Sequence, residues 1–271
     1  MSAADKYRSQ IRENAPVVFK DMTFHPLPVR KYELYALARP SFEIMQSSLA
    51  PKLARLPWCA CLWALDEECF EATGKWGEFL TRALLVLAEA LRLEVYADAG
   101  SGGRQEFPLR PVFDKDALKG VMVGRPPHVA LLNLRDMSEV REIIAAQNAY
   151  DIPDETWNPE LVRAAQKNAS RGGGSLEFDL EALVASVALH WRCRVADIYQ
   201  WPIREFQAAQ AAIDRTLNYQ IYTLAEKAGF VRFEHGNPFP SWRFDMRSEL
   251  PTGFRSIADI DAGAKGLIAG V

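Results

Sequence analysis

The chain has 271 residues, enough for one large domain or two ordinary ones. Hydrophobic residues make up 49% and charged residues 25%, which excludes global disorder, a collagen-like fibre and a disulfide-stapled miniprotein. Lys plus Arg is 32 and Asp plus Glu is 35, a net charge of -3, so the chain is not built electrostatically to hold nucleic acid along its whole length.

Residues 1–16 are polar and charged and read as a solvated arm without the apolar core of a secretory signal. Val17–Phe24 predicts a short strand, ended by His25-Pro26-Leu27-Pro28, where two prolines deny helix. Arg30–Ala38 has a weak helical pattern that should stop before Pro40. Leu49–Asp66 is helical by the spacing of Leu49, Leu53, Leu56, Ala60 and Trp63, with Pro57 kinking or splitting it. Gly74–Leu93 is the strongest helix of this half, with a wide apolar face from Phe79 to Leu91 that predicts a core element. Its apolar stretch carries Arg82, Glu89 and Arg92 and falls short of the roughly 20 residues that span a bilayer.

The texture then becomes extended. Leu93–Ala97 and Glu106–Val112 flank Gly100-Ser101-Gly102-Gly103 and predict a hairpin, with short strands at Val121–Val123 and Val129–Leu132. Asp136 opens a helix, with Glu139 completing a capping box, that fades at Asn148. Asn158-Pro159-Glu160 starts another, to about Asn168. Ser170-Arg171-Gly172-Gly173-Gly174-Ser175 is the clearest linker. Leu176–Trp191 reads as a helix. The best-defined element runs from Pro202 to Ala228, closed by Gly229. Its seam of Ile203, Phe206, Gln210, Ile213, Leu217, Ile221, Leu224 and Ala228 is apolar at every place except Gln210. The segment Phe233–Phe244, with Pro238 and Pro240, is an aromatic strap whose prolines lower the entropy lost on docking. Residues 246–271 read as a peripheral tail. There is no internal repeat.

The search for chemistry is unproductive. Cys59-Ala60-Cys61 with Cys69 has one residue between the first two cysteines where a zinc knuckle has two, so these are read as buried, reduced thiols. His25, His128, His190 and His235 share no metal spacing, and there is no GxSxG elbow. The glycine loops lack the Gly-Lys-Ser/Thr of a P-loop. A helix-turn-helix over His190–Ala228 would place Arg192, Arg194, Arg204 and Arg215 on phosphates, but its turn is too long. No catalytic, cofactor-binding or metal-binding residue is predicted.

What remains is the long seam and the strap, each of which either packs within the chain's own core or is offered to a protein partner. Tyr199, Trp201, Phe206, Tyr219 and Tyr222 lie on or beside the long seam, and Phe239, Trp242, Arg243 and Phe244 on the strap. Aromatic residues and arginine are enriched in interface hot spots. These nine residues are the predicted partner-binding set.

The stretch Val195-Ala196-Asp197-Ile198-Tyr199-Gln200-Trp201-Pro202-Ile203-Arg204-Glu205-Phe206 resembles a pattern in proteins of the tail gene cluster of tailed phages and prophages, some of them tail assembly chaperone-like. The pattern is a short helix, a turn with Asp-Ile and Trp-Pro, and a following Glu-Phe helix. Gly236-Asn237-Pro238-Phe239-Pro240-Ser241-Trp242 is similar to uncharacterised proteins of such clusters, so the resemblance covers about residues 180–245. It implies a non-enzymatic assembly or structural protein of a phage or phage-tail-like particle. Its partners would be particle components or further copies of itself, in the host cytoplasm or the assembled particle, without nucleic acid or membrane. A nucleic-acid-contacting adaptor using the C-terminal arginines and an enzyme of unrecognised type are the alternatives. The expected fold is mostly α, an α+β arrangement leaning to all-α. Residues 1–170 would be a helical core unit with a small β-hairpin element near 93–132, and 176–245 a helical module.

Overall fold

The structure, a computed structural model, describes residues 3–93, 107–115, 117–125, 128–155, 160 and 179–232. It is mostly α-helical with a two-stranded and a three-stranded sheet, the α+β arrangement leaning to α that the periodicities predict. The chain divides into two compact units. One comprises Met1–Glu155 with Pro202–Arg204, and the other Thr156–Trp201 with Glu205–Val271. The predicted helix over 158–168, the linker over 170–175, the strap and the tail lie outside the described residues.

The first unit opens with two short helices, α1 (Ala3–Lys6) and α2 (Arg8–Arg12). The single strand expected over Val17–Phe24 is instead a hairpin of β1 (Val17–Phe19) and β2 (Met22–Phe24). Lys20 and Asp21 take φ of +48° and +62° between them, the left-handed pair that a tight two-residue turn requires. Polar residues there interrupt the apolar run and give the turn its sequence.

Helix α3 (Tyr32–Phe42) runs through Pro40, where the sequence predicted a stop. Packing of the last turn outweighs the lost backbone bond. Phe42 is fully buried and stacks on Tyr150 at 4.5 Å between ring centres. Ser41 Oγ donates to the Phe79 carbonyl at 2.8 Å. After α4 (Pro51–Ala54), Pro57 splits the predicted helix and becomes the cap of α5 (Trp58–Thr73). That helix ends at Gly74, whose φ of +70° suits glycine. Helix α6 (Phe79–Ala90) follows, shorter than the predicted 74–93, and turns Leu80, Ala83, Leu84, Val86, Leu87, Ala88 and Ala90 inward.

Strands β3 (Leu109–Asp114), β4 (Ala117–Arg125) and β5 (His128–Asn133) form an antiparallel meander in that order. The predicted first hairpin strand at 93–97 lies almost wholly outside the described residues. Among those described, β3 pairs with β4, Leu109 opposite Val123. Helix α7 (Leu134–Asn148) has a capping box three residues earlier than predicted. Asn133 Oδ1 accepts from the Asp136 N–H at 2.9 Å, and Asp136 Oδ2 from the Asn133 N–H at 3.1 Å. Asn133 is the cap because its extended backbone lets its side chain reach the third helical residue.

Helix α7 is the spine of this unit. Arg141 donates to the Phe42 and Ile44 carbonyls, Gln147 Nε2 to the Phe24 carbonyl, and Asn148 Oδ1 accepts from the Leu27 N–H at 2.7 Å. Gln147 and Asn148 thus satisfy backbone groups of the hairpin and the proline-rich turn, and Arg141 those at the end of α3. Ile203 is buried in this unit's core and its N–H donates to the Leu27 carbonyl at 2.9 Å.

The second unit holds α8 (Leu180–Trp191) and α9 (Val195–Ile198), and α10 (Ile203–Lys227) continues into it from the first. Helix α8 begins at Leu180 instead of Leu176, because Asp179 caps it by accepting from the Ala182 N–H at 3.0 Å. Ile198 and Phe206 are fully buried.

Candidate functional site

The seam of α10 keeps one period but changes environment along its length. Ile203 and Phe206 are fully buried, Gln210 and Ile213 half-buried, and Leu217, Ile221 and Leu224 are 40%, 59% and 66% exposed. Apolar residues at 217, 221 and 224 lie on one face of the helix because they are three and four apart. The helix closes with Gly229 at φ +75°, and its last turn is followed by exposed Phe230 and Val231. The result is an apolar stripe facing solvent over the second half of the helix.

The predicted contact residues separate on this element. Tyr219 and Tyr222 are half-buried on α10, and Tyr199 and Trp201 are half-buried before it. Trp201 packs edge-on against Trp191 at 6.0 Å. Phe206 is a correction: it is fully buried and is a core residue of the folded chain, with no surface to offer. Its helical period is the same as that of Leu224, so pattern alone does not separate them. Phe239, Trp242, Arg243 and Phe244 lie outside the described residues. Leu189 and Trp191 on α8, outside the predicted set, are also well exposed.

Two of the four arginines that a nucleic-acid surface would use, Arg194 and Arg204, are engaged within the fold. Arg194 pairs with Asp197 at 3.3 Å, and Arg204 donates to the Ile11 carbonyl. Helix α9 stands inside the long turn.

The thiols are free. Cys59 and Cys61 are buried, and burial pushes the Cys59 thiol up to about 12 and raises Cys61 as well. A buried neutral thiol is a poor nucleophile and a poor metal ligand. Among the described residues no group of three His, Cys, Asp or Glu could hold a metal ion. Burial, with Arg92 adding to it, lowers the pKa of His25. The Arg141 guanidinium is pushed down to about 10 by burial; it sits 5.5 Å from the Trp58 ring and binds only carbonyls among the contacts described. Its role is to hold the turn after α3.

A cleft of about 300 Å³ lies along α4 and α5, lined by Lys52, Leu53, Leu56, Ala64, Glu67, Glu68 and Glu71. Lys52 is bonded to Glu68 at 2.7 Å. Its ionisable groups are Lys52 and the carboxylates of Glu67, Glu68 and Glu71. Among the described residues no helix is long and apolar enough to cross a membrane. Comparison with protein-family models, curated proteins and solved structures gives no match.

Proposed function

We propose that this chain is a non-enzymatic assembly or structural protein that works through protein–protein contacts, in the setting of a phage or phage-tail-like particle that its resemblance over residues 180–245 implies. The observation that supports this reading is the exposed half of the α10 seam, Leu217, Ile221 and Leu224. A stripe of large aliphatic side chains in water costs roughly 25 cal/mol per Å² of apolar surface, and that free energy is recovered when a second surface covers it. An amphipathic helix laid against a partner by residues three and four apart is a common recognition mode.

The test is light scattering on the eluting full chain over a range of concentrations, with a mass-spectrometric pull-down from native cells. The reading expects either a mass that rises with concentration or retention of particle components. Replacing Leu217 and Leu224 together by Glu should abolish that association, at least tenfold in affinity, since hot-spot side chains contribute about 2 kcal/mol or more each. Both side chains are solvent-facing, so the variant should melt as the parent does. A monomer at high micromolar concentration with no partner retained overturns the reading.

A further inference from the structure

A second surface lies in the first unit and has a different chemistry. Four aromatic rings from three elements touch in series there. Trp63 and Phe70 come from α5, Trp76 from the loop between α5 and α6, and Phe113 from β3. Trp63 lies 5.0 Å from Trp76 and 4.8 Å from Phe113, and Phe70 lies 5.4 Å from Trp76. Phe70 is 50% exposed, Trp76 45% and Phe113 40%. Scattered exposed rings need no explanation, but contiguous ones mark a contact surface.

The loop that carries Trp76 is held in place. Gly74 sits in the left-handed region, and Thr73 Oγ1 accepts from the Lys75 N–H at 3.2 Å. Gly77 lies so close to Asp66 that a Cβ there would collide with it. The Asp66 carboxylate in turn accepts from the N–H groups of Phe79 at 2.8 Å and Leu80 at 3.0 Å. A ring fixed in this way loses little freedom on binding.

Helix α5 beside the rings is acidic, while Lys52 lines the neighbouring cleft and Lys75 precedes Trp76. Helix α5 carries Asp66, Glu67, Glu68 and Glu71 and no lysine or arginine. Asp66 is buried as a cap and Glu68 is paired with Lys52. Glu67 and Glu71 are exposed and make no ion pair among the described residues. Glu67 lies one helical turn from Trp63 and one from Phe70, and Glu71 follows Phe70 on the same helix. The exposed cation of the loop is Lys75.

We propose that this surface docks a basic peptide segment of a partner protein, whose arginine or lysine side chains stack on Trp76 and Phe70 and meet the carboxylates of Glu67 and Glu71. Aromatic faces attract cations, and arginine most often. A purely apolar partner would desolvate two carboxylates without pairing them. A second copy of the same face would bring those carboxylates toward their own images, since a two-fold contact repeats one patch on both sides.

The proposal is independent of the α10 reading. It is tested by calorimetric titration of the full chain with a short peptide rich in arginine and lysine and free of aromatics. Binding is expected, with a peptide carrying Glu in place of the cations as a silent control. Trp76→Ala and the pair Glu67→Gln with Glu71→Gln should each weaken it about tenfold. Phe70→Ala should do likewise, and thermal melts verify that each variant is folded. The α10 variant with Glu at 217 and 224 should bind the peptide as the parent does. Three results overturn the proposal: no binding, binding that survives both Trp76→Ala and Phe70→Ala (adsorption by charge alone), or a dimer through this face that Trp76→Ala dissolves.

Discussion

Asp66 and Cys59 share one helix and are both buried, with opposite consequences. Burial raises the pKa of Asp66, but two backbone N–H groups pull it back, so the carboxylate acts as a remote cap for α6. Asp66→Ala strands both donors and should cost about 2 kcal/mol in urea unfolding, whereas Asp66→Asn keeps an acceptor oxygen and should cost less. Equal stability for both variants would remove the cap from the account. Cys59 has no such partner, and burial alone pushes its thiol from the ordinary 9.0 up to about 12. An unfolded chain therefore releases this proton above pH 9 while the native chain keeps it. The contribution to stability is fully present below pH 9 and is lost as pH rises toward 12, by about 1.4 kcal/mol per pH unit. Unfolding free energies of the parent and Cys59→Ala, compared between about pH 10 and 11, should diverge in slope by close to that amount, and parallel curves would refute it. The buried thiol should also resist alkylation at pH 8 in the native chain.

At the scale of elements, periodicity carries far but stops where tertiary contacts decide. The long seam from Ile203 to Ala228, the apolar face of α6 and the break at Pro57 were all legible, because each is a local property of spacing or of the proline ring. Passage of α3 through Pro40 was not, because it depends on Tyr150, more than a hundred residues away. The turn at Lys20-Asp21 was hidden because lysine rarely takes positive φ and no glycine marks the pair; Lys20 there reaches Asp136 at 2.7 Å. Arg141, Gln147 and Asn148 resemble a solvent face in sequence and are buried pegs in the fold. The candidate surfaces divide in the same way. The stripe on α10 was visible as a pattern, but the point at which it leaves the core, between Phe206 and Leu217, has no mark in a seam of constant period. The cluster of Trp63, Phe70, Trp76 and Phe113 was invisible, because a strand and a loop bring to the helix two rings that no spacing rule connects.

For the whole molecule, a net charge of -3 conceals two surfaces that should respond to salt in opposite directions. The exposed part of α10 offers Leu217, Ile221 and Leu224, and association through it is driven by apolar burial. Kosmotropic salts strengthen such burial because they are excluded from protein surface. The α5 surface offers Glu67 and Glu71 beside its rings, and attraction between exposed charges is screened beyond a Debye length of about 8 Å at physiological ionic strength. One preparation of the full chain can therefore report on both. Light scattering in increasing sodium sulfate should show association through α10 hold or tighten. Titration with the basic peptide over the same range should show affinity fall steeply, leaving the smaller share that stacking on Trp76 supplies. If both processes weaken with salt, the α10 contact is electrostatic and the exposed aliphatic stripe is not what drives it. If peptide binding is indifferent to salt, the carboxylates of α5 take no part and the rings act alone.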